Sequence, residues 1–220
     1  MKFLAVLPLL AALFTNPALR AAETPKSEKP AMETVTLAGG CFWCLDATFL
    51  RVKGVEKVVS GYTGGTTKNP TYEQICTGLT GHAEAVQITF DPKVLTLDSL
   101  LNLFFQLHDP TTLNAQKPDT GTQYRSAIFY TSDAQKAAAE KAKKAVDASG
   151  HYAKPAVTEI TALGTWYPAE DYHQGYFDEH MPKGTGNYGY LCRIVLPKVE
   201  KLKKLGVELK PVAKESDAKK

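Results

Sequence analysis

Val35-Thr36-Leu37-Ala38-Gly39-Gly40-Cys41-Phe42-Trp43-Cys44 reads as a strand that delivers a tight turn and the start of a helix. Val35-Thr36-Leu37 alternates with polar neighbours, as a half-buried strand does. The Gly39-Gly40 pair supplies a sharp entry and lets another molecule approach the backbone closely. From Cys44 to Arg51, Leu45, Phe49 and Leu50 form the apolar face of a helix. A helix beginning at this turn puts Cys41 near its first turn, where free backbone N–H groups and the dipole stabilise a thiolate. Phe42 and Trp43 are costly to leave in water, so side by side in a turn they point to a pocket for an apolar group. The stretch therefore describes a reactive cysteine beside a hydrophobic recess.

Cys41-x-x-Cys44 has other uses. A zinc site needs a partner pair, and Cys76 and Cys192 are single and far apart, so no metal is expected. A thioredoxin-like motif belongs in a βαβ context, and Phe-Trp is an unusual filling for it. A structural disulfide three residues apart closes a loop too short to stabilise much. On a helical turn these residues lie roughly 5 Å apart, so reversible redox use stays open.

Outward from this unit, Val55–Tyr62 reads as a second strand running into Gly64-Gly65 and an irregular Lys68-Asn69-Pro70 turn. Tyr72–Cys76 fits one short helix, with Cys76 on its apolar side as a structural residue. Ala83–Phe90 alternates with period two, and Leu97, Leu100, Leu101, Phe104 and Phe105 recur at helical spacing. Tyr124–Tyr130 is expected as a strand, 133–148 as a helix between Ser132 and Gly150, and Val157–Ile160 as a strand. Ala169–His180 reads as a short aromatic helix. A mobile Gly-rich loop (Pro182–Gly189) precedes a strand at Cys192–Val195 and a Lys-rich final helix. Helices and strands alternate, yet several strand pairs lack a helical crossover, which favours an α+β layer fold.

The chain ends differ from the middle. Met1-Lys2 and the apolar run Phe3–Phe14 form a signal peptide over residues 1–22, too short to stay as a membrane anchor. Residues 23–32 read as a flexible mature N-terminus, 33–205 as one catalytic domain, and 206–220 as a disordered Lys-rich tail. The protein is expected to be exported, periplasmic or secreted, and monomeric. Loss of Lys2 and Arg20 lowers the net charge from +3 to +1, which gives no reason to expect nucleic acid or an anionic membrane as partner.

Three segments combine glycine, charge and tyrosine beyond the needs of a core: Asn69-Pro70-Thr71-Tyr72, Thr80-Gly81-His82-Ala83-Glu84, and Asp119-Thr120-Gly121-Thr122-Gln123-Tyr124-Arg125-Ser126. Together with Gly40-Cys41-Phe42-Trp43, Gly61-Tyr62-Thr63-Gly64-Gly65, His108-Asp109-Pro110 and Ala169-Glu170-Asp171-Tyr172-His173-Gln174, they resemble the peptide methionine sulfoxide reductase A family over residues 33–205.

The resemblance implies a two-layer sheet-and-helix sandwich with a ferredoxin-like core, and reduction of the S epimer of methionine sulfoxide. It casts Cys41 as nucleophile and Glu84 as the acid toward the sulfoxide oxygen. Tyr72, Asp119 and Tyr124 match positions that bind or polarise that oxygen, and Phe42 and Trp43 match the walls around the substrate methyl. Cys44 is the favoured resolving thiol, with Cys192 as a relay thiol or a buried strand residue. Asp46 departs from the Glu that many relatives carry there, which bears on local hydrogen bonding. The chemistry suits these residue types. A sulfoxide sulfur becomes electrophilic when its oxygen is protonated, and a carboxyl kept neutral by an apolar surround supplies that proton. Thiolate attack then leaves a sulfenic acid. No cofactor is required, and outside the cytoplasm a thioredoxin-like reductant is the expected partner. Two rivals are a general thiol–disulfide oxidoreductase and a disulfide-stapled binding domain.

Overall fold

Alternation along one strand decides which way the whole sheet faces. In Ala83–Phe90, Glu84, Val86, Ile88 and Phe90 share one face, and Ala83 and Ala85 the other. The first face meets the large core with Val35, Leu37 and Ile128; the second meets a small cluster of Ala38, Ala127 and Phe129, covered by Leu163 and Trp166. A carboxylate thus sits on the core side of an apolar strand.

The computed structural model describes residues 31–210, so the signal peptide and most of both ends fall outside the described residues. Strand β1 (Glu33–Gly39) leads into α1 (Phe42–Phe49), β2 (Val55–Thr63), α2 (Tyr72–Cys76), β3 (Ala83–Phe90) and α3 (Leu97–Leu107). Two short strands, β4 (Ala115–Gln116) and β5 (Asp119–Thr120), precede β6 (Ser126–Tyr130), α4 (Asp133–Ala148), β7 (Glu159–Ala162) and β8 (Tyr167–Pro168). Helices α5 (Tyr176–His180), α6 (Tyr188–Tyr190) and α7 (Leu196–Lys204) follow. The main sheet runs β7-β6-β1-β3-β2-β8. All neighbours are antiparallel except β6 with β7. The β1-α1-β2 crossover passes over β3, and the β3-α3-β6 crossover passes over β1. The architecture is α+β, with α1, α3, α4, α5 and α7 contributing to the large core on one face of the sheet.

Several local expectations are corrected. Tyr124 is not in a strand: Thr122–Tyr124 is a 3-10 turn, closed by Tyr124 N–H to Gly121 O at 3.0 Å, and β6 starts at Ser126. The aromatic helix expected over Ala169–His180 is broken. Gly175 adopts φ +60°, and the Gln174 amide is tied to both Ser60 N–H (2.9 Å) and Ser60 O (3.0 Å), which pulls the chain out of helix. Cys192–Val195 is not a strand. Leu191, Val195 and Leu202 are fully buried at spacings of one helix face, so α6 runs through a π turn at Leu191–Val195 into α7. Of the expected Lys-rich tail (206–220), residues 206–210 are described, and they are tied to the domain by Lys53 N–H to Glu208 O (2.8 Å) and Lys210 N–H to Arg51 O (2.9 Å). Cys76 is exposed; the buried residue of α2 is Ile75.

The motif at His108 is structural. Phe104 O lies 2.7 Å from its Nδ1 and Ser126 Oγ 2.7 Å from its Nε2, and Ser126 Oγ pairs with Thr158 Oγ1 at 2.8 Å. Burial drops the ring to about 4, so it stays neutral, donates from Nδ1 and accepts from Ser126. The network fastens the end of α3 to β6 directly beneath Gly39, which pairs with Ser126.

Gly40 is held in a backbone only glycine adopts readily, φ +94°, and a Cβ there would stand 2.6 Å from Gln116 Cγ. Gln116 cannot retreat freely, since its amide bonds Asp109 N (3.1 Å) and O (2.6 Å). Gly40→Ala is therefore expected to cost about 2 kcal/mol or more, from the left-handed backbone and the clash together. The urea midpoint reads this directly, and a loss under about 0.5 kcal/mol would show that the turn is not constrained as described.

Candidate active site

The strand–turn–helix unit places Cys41 at the N-cap of α1 and Cys44 one turn in, both buried. Cys44 N–H closes the turn onto Cys41 O at 3.0 Å. The Cys41 side chain makes no capping bond. The first free amide of the helix, Phe42 N–H, instead donates to Glu84 Oε2 at 3.0 Å. Residues 42 positions apart in sequence are thus joined inside the core. Glu84 is 1% exposed and Cys41 8%.

Burial dominates the electrostatics. It pushes Glu84 up to about 8 against the opposing pull of the Phe42 amide, with Asp119 and Cys44 adding to the rise. It also drives the Cys41 thiol well above its ordinary range, with the Cys44 hydrogen bond and the Glu84 charge pushing the same way. The helix terminus was expected to favour a thiolate at Cys41. It does not do so in the resting protein, because burial outweighs it and the Cys44 hydrogen bond and the Glu84 charge push the same way. Cys44 is drawn down to about 7, first by its hydrogen bond from Cys41, against its burial, with Lys198 and Tyr190 assisting.

Aromatic side chains close the recess. Trp43 stacks on Tyr176 with centroids 3.8 Å apart, and Tyr190 meets its edge at 6.1 Å. Phe42 packs on Tyr62 (5.9 Å), Tyr72 (6.5 Å) and His173 (5.0 Å). Burial raises the phenols of Tyr72 and Tyr124, and the charge of Glu84 is the next cause for both. Both remain protonated donors near neutral pH. Asp119 is half-buried and raised by that burial, and it accepts the Tyr190 hydroxyl at 2.6 Å. The Tyr190 oxygen also lies 3.9 Å from Cys44 Sγ.

The fold thus gathers Cys41, Cys44, Phe42, Trp43, Glu84, Tyr72, Tyr124 and Asp119 around one recess. Cys192 pairs instead with the Tyr188 hydroxyl one helical turn back, and among the described residues it is not a hydrogen-bond partner of Cys41 or Cys44. Tyr190, Tyr176 and His173 are site residues that the sequence reading did not single out. The aromatic content of 169–180 was the available signal for two of them, and the helical phase of 188–195 would have exposed the third. Asp46 accepts Gly175 N–H at 2.9 Å, and burial raises its carboxyl to about 7. It therefore fastens the break that precedes Tyr176. A cleft of about 450 Å³ between α3, α4 and α7 is lined by Phe105, Val146, Tyr152 and Leu205 and contains none of the site residues.

A buried thiol pair, a neutral buried carboxyl and converging phenols are groups that can supply a proton and a sulfur nucleophile to one small polar group beside an apolar wall. Comparison with known proteins agrees. A family model for peptide methionine sulfoxide reductase matches residues 33–204. Peptide methionine sulfoxide reductase MsrA from Polynucleobacter asymbioticus is 51% identical over 174 residues, 79% of this chain and 89% of that protein. The protein of the same name from Sulfolobus acidocaldarius is 51% identical over 173 residues, 79% of this chain and 94% of its own. Among solved structures, methionine sulfoxide reductase A of Corynebacterium diphtheriae aligns with a TM-score of 0.63 and 36% identity, covering 73% of this chain and 80% of that one. Reduced Mxr1 from Saccharomyces cerevisiae aligns at 0.64 and 35%, covering 72% and 92%. The chain belongs to the peptide methionine sulfoxide reductase family. It is an oxidoreductase that reduces methionine sulfoxide.

The raised carboxyl has a measurable consequence for stability. Glu84 titrates near 8 when folded, against an ordinary value of 4.5. Unfolding therefore releases a proton between those values, and stability falls as pH rises from about 4.5 to about 8, the reverse of a salt-bridged carboxylate. Glu84→Gln removes that slope, and it should gain roughly a few kcal/mol on wild type at pH 8.5 relative to pH 5. Urea unfolding at the two pH values checks it; an unchanged gap would mean that Glu84 ionises normally in the fold.

Proposed function

We propose that the reductase acts on the S epimer of methionine sulfoxide, in oxidised proteins and free, with Cys41 as nucleophile and Glu84 as acid. The observation that carries this reading is the buried Glu84 carboxyl, neutral near pH 7 and bonded to the backbone beside Cys41. The substrate methyl rests against Phe42 and Trp43. Its oxygen faces Glu84 and the hydroxyls of Tyr72 and Tyr124, with Asp119 acting directly or through water. Glu84 protonates the oxygen as the Cys41 thiol gives up its proton, which restores the Glu84 carboxyl, and the Cys41 sulfur bonds to the sulfoxide sulfur. The S–O bond and the new S–S bond then break together: the hydroxyl passes to the Cys41 sulfur as a sulfenic acid, and methionine leaves with an electron pair on its reduced sulfur.

Cys44 then attacks the Cys41 sulfur, which forms the disulfide and expels water. A thiol drawn to about 7 suits that step near neutral pH. A thioredoxin-like dithiol returns both cysteines to thiols. We assign no first attack to Cys192, whose neighbour is Tyr188; its role, if it acts, is as a relay in later exchange. The signal-like leader supports an enzyme working outside the cytoplasm, in the periplasm or secreted. The N-terminal mass of protein recovered from the periplasm and medium tests this, and an intact Met1-to-Lys220 chain confined to the cytoplasm would overturn it.

Dithiothreitol-driven reduction of the separate S and R epimers of a methionine sulfoxide peptide tests the chemistry. Turnover of S alone is expected, falling roughly 10²–10⁴-fold in Glu84→Gln. If neither epimer is reduced while a disulfide substrate is, the protein is a general thiol–disulfide oxidoreductase. Cys44→Ser should yield one methionine per enzyme and then stall with a dithiol protein donor. Sustained turnover in that variant would move the resolving thiol elsewhere.

A further inference from the structure

The segment Ala169-Glu170-Asp171-Tyr172-His173-Gln174 has no part in the steps above, yet it touches both walls of the recess. Glu170 Oε1 accepts Tyr72 N–H at 2.9 Å, and its Oε2 accepts the Tyr62 hydroxyl at 2.8 Å. Trp43 Nε1–H donates to His173 Nδ1 at 3.2 Å. His173 is 1% exposed and lies among the rings of Phe42, Trp43, Tyr72 and Tyr172.

An indole N–H is a donor only, so Nδ1 must be unprotonated for this bond to exist, and a neutral ring then carries its proton on Nε2. That atom has no hydrogen-bond partner among the described residues. It faces Glu170 Oε2 at 4.0 Å, beyond a hydrogen bond but close enough for a half-buried carboxylate to favour the N–H dipole of the buried ring pointing at it. We propose that Glu170 and His173 form a positioning pair that sets both walls at once: Glu170 holds Tyr72 directly, and it fixes the His173 tautomer that lets Trp43 bond to Nδ1. The proposal rests on the reading in which Trp43 and Tyr72 face the substrate.

Burial keeps the ring in the state this requires. It lowers the His173 pKa, against the pull of the Glu170 and Glu73 charges, and a protonated ring would be a donor at both nitrogens and would lose Trp43. Partial burial of Glu170 works against its charge. Backbone N–H donors, its own and that of Tyr72, together with the Tyr62 hydroxyl and His173, more than offset this and hold the carboxyl below its ordinary range.

The test uses the full-length reduced protein carrying Trp166→Phe, which leaves Trp43 as the single indole of a chain with two tryptophans. Nitrogen-15 NMR reads the His173 tautomer and the Trp43 indole N–H before any substrate is added, with His173→Phe assigning the ring signals. The parent should show the proton on Nε2 and a protected indole. Glu170→Gln should mix the tautomers, speed indole exchange at least tenfold and lower kcat/KM for a methionine sulfoxide peptide roughly 10–100-fold, the scale of a lost partner behind an oriented histidine. Glu170→Asp keeps the charge but withdraws it from Tyr72, and it should keep the tautomer while losing activity. A parent ring protonated on Nδ1, or indole exchange unmoved in Glu170→Gln, overturns the link through His173; the parent spectrum suffices if the variant does not fold. A tautomer shift with unchanged kcat/KM overturns the positioning role. A parent that reduces no sulfoxide sinks the underlying reading instead, so the two failures are distinguishable.

Discussion

The hydrogen bond from Phe42 N–H to the Glu84 carboxyl ties the first turn of α1 to the centre of the sheet, and much of the site follows from it. A helix begins with amides that have no partner, and here one is satisfied by a side chain from β3 rather than by its own N-cap residue. The arrangement fixes where Cys41 stands relative to the acid. It also forces Glu84 into a place where its charge is poorly solvated, so the carboxyl remains protonated near neutral pH. Burying an acid this way makes stability fall as pH rises, because the carboxyl ionises readily in the unfolded chain and not in the folded one.

Around that bond the molecule is fastened from a distance. The strap between β8 and α5 ties to β2 through Gln174, to α1 through Asp46, and to the Tyr62 and Tyr72 regions through Glu170. Tyr190 approaches from the other side, bonding Asp119 and reaching Cys44. Side chains in the recess consequently have little freedom to reorganise. Preorganised donors are most effective when the barrier to moving them is already built into the fold.

Much of this was legible in the chain. The period-two pattern of 83–90 and the helical pattern of 97–107 place β3 and α3 closely, because both elements bury one face over several repeats. The Gly-Gly-Cys turn was readable because glycine is needed there: φ at Gly40 is +94°. The helical run at 188–204 was misread where Ile194 and Val195 suggested a strand, since short apolar runs carry little periodic information and burial of Leu191, Val195 and Leu202 decides the helix. The break at Gly175 depends on Ser60 and Asp46, residues far away in the chain, and no local pattern announces it.

The sequence alone determined the residue types, the strand–turn–helix that presents Cys41, and the family to which the ordered motifs belong. Those are local or compositional properties, set by backbone sterics, hydrophobic period and residue chemistry. Tertiary structure alone decided which charges are quenched and which groups meet. Glu84 becomes an acid held at about 8 because folding buries it, which outweighs the Phe42 amide that α1 offers it. Cys41 is a buried thiol rather than a thiolate because the fold desolvates it and sets Cys44 and Glu84 beside it. Cys192 is turned toward Tyr188 and Cys76 toward solvent by the phase of the helices that carry them. Desolvation and long-range hydrogen bonds are sums over neighbours brought together by folding, and no stretch of chain contains them in advance.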